Sequence, residues 1–405
     1  MIISQKIKLE VSLQDAATLE FMQSKCRGLY NWWVMKLKEG KHWPGVYAAK
    51  KTLKESRLHD PELNHVYNKL LQDVFFRLGA AMDAFFRRVK NGAKPGFPRV
   101  RPRHCFFTLC YPGCYLTIEN NTLVLPTGGR GKSKTYPDIR AKLTEEPPTE
   151  FGEVAISRDA RGHYYASFSH KRQEEEQKVG EVVAFDLGIK TLAVGTNEQG
   201  RVYHINGCKG SRWYNRQLDK IRSKRDRCKK KSKRYKHLSR VYKRVSEKKR
   251  NKQRDSLHKA SHLIAHKLVE RTVVVGDLSQ RQMVLKEHHE KNKSRNRAVY
   301  NDWGLYTFIM MLTYKCLLYG KELVILDESY TSKTCSGCGN KQDMPLWKRT
   351  YCCPKCRLVM DRDENSAINI LTRYLARLGP HAKDSCGVLQ EDGLDVEVTG
   401  SSQAA

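Results

Sequence analysis

This 405-residue chain is poor in negative charge: 43 Asp and Glu stand against 75 Lys and Arg, a formal net charge of +32. Self-repulsion on that scale is costly unless a polyanion covers the surface, so nucleic acid is the expected partner. Long apolar runs are missing as well. The longest, Trp303 to Tyr314, stops at Lys315, well short of a membrane span, and the opening Met1-Ile2-Ile3-Ser4-Gln5-Lys6 holds no uninterrupted apolar stretch of the signal-peptide kind. No membrane role is expected, and a cytoplasmic setting is. The 13 cysteines are odd in number and scattered outside one cluster, which suits a reducing compartment better than a disulfide framework. Hydrophobic residues, at 40% of the chain, suffice for two or three cores and exclude a disordered basic tail.

The cysteine cluster is the sharpest local signal. Cys335/Cys338 and Cys353/Cys356 are two Cys-x-x-Cys pairs separated by 14 residues. Four thiolates so spaced converge on one Zn²⁺ at about 2.3 Å each, with Gly337, Gly339 and Pro354 available for the turns. Cys352 is set aside because only the 353/356 register reproduces the spacing. A closed four-sulfur site has no open coordination position, so this zinc is expected to staple a lobe and leave chemistry to its neighbours.

Periodicity organises the rest. Residues 3 to 10 alternate as a strand, a helical pattern runs from Leu13 to Leu37, and a second amphipathic stretch covers Leu63 to Val89. After the break at Lys94 to Arg99, strands are expected at 106–109, 115–118, 123–125, 153–157 and 164–169. Residues 1–10 and 96–178 then read as a small β-barrel, with the helices of 11–95 inserted after its first strand. A new pattern starts at Val182, where an apolar strand carries a single acid, Asp186, and returns over 191–196. Such a carboxylate costs several kcal/mol unless a cation meets it. From Lys209 to Arg254, 22 of 46 positions are Lys or Arg and three are acidic; two long helices lying along a phosphate backbone are the expectation. Strands at 272–275 and 322–326 alternate with helical stretches, which predicts a parallel sheet flanked by helices. The resulting second domain, 179–330 with 359–378, includes the basic helices of 209–256 and is interrupted by the zinc lobe, 331–358.

Some apparent motifs lead nowhere. His262 and His266 lack the Glu of a zinc-peptidase helix and are expected to pack or be solvated. Gly207-Cys208-Lys209-Gly210-Ser211 lacks the leading glycine of a phosphate loop and reads as a turn. His288-His289 falls in a charged loop, and the polar tail of 379–405 is expected to be disordered.

Acids on separate elements that meet at one sheet edge are what an RNase H-like nuclease needs to hold two Mg²⁺ ions about 3.5–4 Å apart. Asp186 on the first strand and Asp363 at the start of the last helix are the candidates, an N-cap being the structural alternative for Asp363. The runs Phe185-Asp186-Leu187-Gly188-Ile189-Lys190, Tyr330 to Gly339 and Asp361 to Ile370 resemble the three-part RuvC signature of TnpB proteins, transposon-encoded RNA-guided nucleases related to compact type V CRISPR effectors. Gly96-Phe97-Pro98-Arg99, Asn296-Arg297-Ala298 and Tyr314-Lys315 extend the likeness over most of residues 1 to 375.

The resemblance implies a RuvC-like nuclease domain, structural Zn²⁺, two catalytic Mg²⁺ ions, a guide RNA and double-stranded target DNA, with one chain per guide RNA or a dimer. It implies nucleic-acid contacts at Tyr30, Asn31, Arg99, Arg101 and Arg103, and at Lys229, Lys230, Lys231, Lys233 and Arg234 along the heteroduplex channel. One position departs. Where the family places Glu-Asp-Leu, this chain has Gly276-Asp277-Leu278. Part of the family carries the glutamate before the Tyr-Thr-Ser-Lys-Thr-Cys segment, which here is Glu328. Asp277 remains the alternative, though a strand neighbour points to the opposite face. A guided binder that does not cut, and a transposon accessory DNA-binding protein, are the other classes left open.

Overall fold

The computed structural model describes residues 1–94, 96–129, 134–176, 180–278, 296–345 and 347–378. The loop at His288-His289 and the tail lie outside them. Among the described residues no helix is long and apolar enough to cross a membrane. The chain divides into two units, Met1–Arg172 and Gln173–Ala405.

In the first unit, alternation fixes strand β1 (Ile2–Glu10), which turns Ile7 and Leu9 inward and Lys6 and Lys8 outward. Ser12 then caps helix α1 (Leu13–Lys38), its Oγ accepting the Asp15 amide at 3.0 Å. Two short helices, α2 (Val46–Lys51) and α3 (Leu53–His59), lead to α4 (Asn68–Lys90). Leu19, Met22 and Trp33 of α1 share a core with Leu71, Phe75 and Leu78 of α4. The strands that follow are β2 (Leu109–Pro112), β3 (Thr117–Glu119), β4 (Thr122–Leu125), β5 (Ile139–Leu143), β6 (Glu153–Arg158) and β7 (Tyr164–Lys171). With β1 they form an antiparallel sheet in the order β2-β6-β7-β1-β5-β4-β3. Strand β1 pairs with β7 from Ile2↔Lys171 to Leu9↔Tyr164, so the helices are an insertion between partners distant in sequence.

The sequence expectations differ here in three places. Strand β5 was not anticipated, although it alternates buried and exposed throughout. The amphipathic helix starts at Asn68, because Pro61–His65 forms a separate 3₁₀ turn in which Asp60 accepts the Glu62 amide. Barrel closure is not among the pairings of the described residues: the ladder ends at β2 and β3, which are joined by the 3₁₀ turn Gly113–Tyr115 without pairing.

The second unit holds a five-stranded mixed sheet of β8 (Val182–Leu187), β9 (Ala193–Asn197), β10 (Val202–Ile205), β11 (Thr272–Gly276) and β12 (Glu322–Leu326), in the order β10-β9-β8-β11-β12. Strands β8, β11 and β12 are parallel, and β9 and β10 run back antiparallel. The helices are α5 (Ser211–Asp226), α6 (Lys233–His262) with a π turn at Leu263–Lys267, α7 (Leu305–Leu318) and α8 (Arg362–Leu378). Period two sorts the sheet into faces. Val183, Phe185, Val273 and Val275 pack with Leu257, Ile264, Phe308 and Leu312 of α6, the π turn and α7. Val182, Ala184, Val274 and Leu326 pack with Ile370, Leu371 and Tyr374 of α8. The hairpin β13 (Thr350–Cys352) and β14 (Val359–Asp361) belongs to the zinc lobe and leads directly into α8.

Candidate active site and zinc lobe

The α8 face carries the acids. Asp186 follows Val182 and Ala184 at period two, and Gly276 follows Val274 in the same way on the neighbouring strand. Glu328 stands two residues beyond Leu326, which pairs with Gly276. A Cβ placed on Gly276 would collide with Glu328 Oε2 and lie 2.9 Å from its Cδ. The Glu328 carboxylate therefore occupies the space that a side chain at 276 would fill. Asp277 has the opposite parity, and its amide donates to Leu326 O at 2.6 Å, extending the ladder.

Charge on this face is poorly compensated. Burial pushes the Glu328 carboxyl up to about 7, with the negative charges of Asp277 and Asp327 adding to the effect. Its Oε2 is buried without a hydrogen-bond partner among the described residues. Burial also lifts Asp186 well above the usual carboxylate range; Glu328 and Asp363 add to that rise, and Arg362 and Arg349 oppose it. Two buried carboxyl groups with upward-shifted pKa values, one with an oxygen that has no hydrogen-bond partner among the described residues, are a donor set suited to a hard cation.

Asp363 is 7% exposed in the first turn of α8. It does not cap the helix. Asp361 does, its Oδ1 accepting the amides of Asp363 at 2.7 Å and Glu364 at 3.4 Å. The freed Asp363 carboxylate is gripped on both oxygens by Arg349 Nη1, at 3.0 and 2.9 Å, and by Arg362 at 3.2–3.3 Å. Sequence reasoning missed these partners. The Asp361-x-x-Glu364 spacing was a legible capping signal, whereas nothing in the sequence marks Arg349. Among the described residues the four cysteine sulfurs are the only set of three or more candidate ligand atoms within 4.8 Å of one another, so the three acids are not gathered that tightly.

The four-cysteine lobe, whose donor set fits zinc, is built from two similar knuckles. Gly339 N donates to Cys335 O at 2.9 Å and Arg357 N to Cys353 O at 3.1 Å, and both turn residues have left-handed backbone, φ +71° and +60°. Sulfur separations of 3.5 Å, Cys335 to Cys356 and Cys338 to Cys353, approach the roughly 3.8 Å edge of a tetrahedron with 2.3 Å bonds. The Cys356 amide and other donors hold the Cys353 thiol down to about 6, which favours the thiolate a metal requires. Cys352 is exposed and outside this set. Asn365 and Asn369 of α8 tie down the stem, donating to Thr334 O at 2.7 and 2.8 Å, while Asn365 Oδ1 accepts the Ser336 amide at 2.9 Å. Cys335→Ser/Cys353→Ser is expected to lose its one equivalent of zinc and the order of the lobe; a double variant that kept the metal in elemental analysis would overturn the ligand assignment.

The basic run folds as the expected helical pair, α5 and α6, turning at Lys231, φ +68°. Lys229, Lys230, Lys231, Lys233 and Arg234 are exposed at this turn, and none forms an ion pair with another described residue. The seam is less apolar than its spacing suggested: Lys249, 8% exposed, donates to Asn215 Oδ1 at 2.7 Å and pairs with Asp302.

In the first unit, Asn31 clasps the Arg101 backbone from both sides, at 2.9 and 2.6 Å, and Arg99, Arg101 and Arg103 are exposed. Tyr30 is a correction. At 2% exposed it is a core ring 5.9 Å from Phe107, with the Arg101 guanidinium 5.5 Å from its centroid, because the apolar face of α1 turns it inward.

Comparison with known proteins decides the family. A family model described as "Cas12f1-like, TNB domain" matches residues 306–370, and one described as "Probable transposase" matches 165–287. A "Putative RNA-guided DNA endonuclease" of Streptomyces pristinaespiralis is 30% identical over 319 residues, covering 78% of this chain and 73% of that protein. The chain belongs to the TnpB family. Other TnpB relatives are TnpB-like protein L79 of Acanthamoeba polyphaga mimivirus, 33% identical over 35% of this chain and 26% of that one, and InsQ of Escherichia coli, 24% identical over 82% and 80%. The fold is that of compact Cas12 effectors: the Cas12f1 chain of a complex with guide RNA and target DNA matches at TM-score 0.59 and 13% identity, over 91% of this TnpB chain and 98% of the other.

Proposed function

We propose that the protein is an RNA-guided DNA endonuclease with a RuvC-like active site formed by Asp186, Glu328 and Asp363. The observation that carries the reading is the Glu328 carboxylate in the space left by Gly276, on the sheet face shared with Asp186. Two Mg²⁺ ions held by these acids would polarise the scissile phosphate and generate the attacking hydroxide. The residues prepare that site. The upward shifts of Asp186 and Glu328 mean that a bound cation would favour their ionised forms, and Asp363 would have to release Arg349 from at least one oxygen to join them. A guide pairing with its target would read sequence, leaving the protein to hold the heteroduplex and a short flanking motif. The test is cleavage of a matched target by the protein with its copurified RNA in Mg²⁺.

One observation favours a guided binder that does not cut: Asp363 is held by two arginines instead of being grouped with the other acids. Cleavage that requires all three carboxylates separates the readings.

The exposed cations of the α5–α6 turn are proposed to follow a phosphate backbone. Replacing Lys229, Lys230, Lys231, Lys233 and Arg234 with Gln is expected to lower the slope of log affinity against log salt by roughly 3–4. An unchanged slope in guide-RNA titrations would make the turn a merely solvated surface.

A further inference from the structure

A cavity of about 470 Å³ lies at the N-terminus of α5, bounded by the β8–β9 turn, the loop Gly207-Cys208-Lys209-Gly210-Ser211, and Gln253 and Leu257 of α6. The cleavage reading does not use it. Its floor, Leu192, Leu257 and Trp303, belongs to the core on the α6 and α7 side of the sheet, opposite the face that carries Asp186. The loop that the sequence marked only as a turn forms one wall.

The rim is built for an anion. Gly210, at φ +100°, delivers the chain into α5 with no side-chain cap, so among the described residues the first-turn N–H groups have no capping side chain. Lys190 and Arg212 line the cavity, are exposed, and form no ion pair with another described residue. The one acid in the lining, Asp302, is already neutralised by Lys249 and accepts from Asn215 at 2.6 Å. The field is therefore positive.

The floor suits a flat, partly polar body. Trp303 is 6% exposed, and its indole Nε1–H is buried without an acceptor among the described residues. Gln253 Nε2 donates to Asp302 O at 3.0 Å and to Ser211 Oγ at 3.4 Å, while its Oε1 accepts no hydrogen bond from a described residue. The volume holds a mononucleotide and excludes a duplex.

We propose that this cavity binds one nucleoside 5′-monophosphate unit. Its phosphate sits at the N-terminus of α5 between Lys190 and Arg212, and its base lies on Leu257 and Trp303 with a donor edge toward Gln253. A free nucleotide and one residue of an RNA strand share that chemistry.

Calorimetric titration of the RNA-free, zinc-loaded protein tests it with adenosine 5′-monophosphate, adenosine and inorganic phosphate. The monophosphate is expected to bind at least tenfold more tightly than either fragment. Lys190→Gln/Arg212→Gln should weaken it at least tenfold while adenosine binding stays unchanged, and Gln253→Ala should weaken it with an unaltered Tm. Binding no tighter than phosphate, or equally tight in the double variant, overturns the proposal. Ultraviolet crosslinking of the copurified complex distinguishes the sources: RNA attached to peptide 207–213 means that a strand supplies the nucleotide, and monophosphate binding without that crosslink means a free one. None of these measurements reads cleavage, and Asp186→Ala should bind the monophosphate as the parent does, so this proposal and the nuclease reading fail separately.

Discussion

Glu328→Ala is expected to lower Mg²⁺-dependent cleavage by at least about a thousandfold while guide and target binding hold, as are Asp186→Ala and Asp363→Ala. The sharper result comes from moving the acid back. Gly276→Glu alone places two carboxylates in the space of one, since even its Cβ collides with Glu328, and should reduce both stability and activity. Combining Gly276→Glu with Glu328→Ala returns a single carboxylate to that space from the adjacent strand, and a substantial part of the cleavage rate should come back. Asp277→Ala should be mild, its side chain having the opposite parity. Single-turnover cleavage of a matched target decides among these. A dead Asp277→Ala beside a normally cutting Glu328→Ala would remove Glu328 from the site.

Without Mg²⁺, Glu328→Gln should be more stable than the parent at pH 8. The folded-state pKa of Glu328 is raised from 4.5 to about 7, so between those values the folded chain holds a proton that the unfolded chain has lost. The stability contributed by that proton is complete below about pH 4.5 and is lost as pH rises through about 7. The glutamine keeps shape and loses the charge, gaining up to about 2–3 kcal/mol above pH 7 and nothing near pH 4. Denaturant unfolding at both pH values, with zinc retained, measures the difference. Identical curves for the two proteins across this range would mean that the carboxyl ionises in the fold as it does in the open chain. Saturating Mg²⁺ should reverse the order, because only the carboxylate gains from the cation.

Legibility followed the strength of local chemistry. Asp186 stood out as the lone acid in an apolar strand, and the four-cysteine cluster followed from spacing, because in both cases the signal lies within a short stretch of sequence. Glu328 came from the resemblance alone, because its place beside Gly276 depends on parity along one strand and register across another, which no local pattern carries. Arg349 could not be read at all: its partner, Asp363, lies across a hairpin, and an arginine in so basic a chain carries no information. Strand β5 was readable from its alternation, whereas α2 and α3 span too few residues for a helical period to emerge. Tyr30 misled because the resemblance gives a residue's place in the sequence and not the direction its helix face takes.

The asparagines at the base of the zinc lobe have a consequence for how this part of the molecule can change. Asn365 and Asn369 fasten the incoming chain at Thr334 and Ser336 to the first turns of α8, so the strand end bearing Glu328 and the helix bearing Asp363 are joined below the first knuckle. The lobe beyond that joint is an exchangeable head on a fixed neck. Its outer bend, where Asp343 is 95% exposed, can take up an inserted peptide while the neck keeps the spacing beneath it, which makes that bend the natural point of attachment for a tag or a fused module.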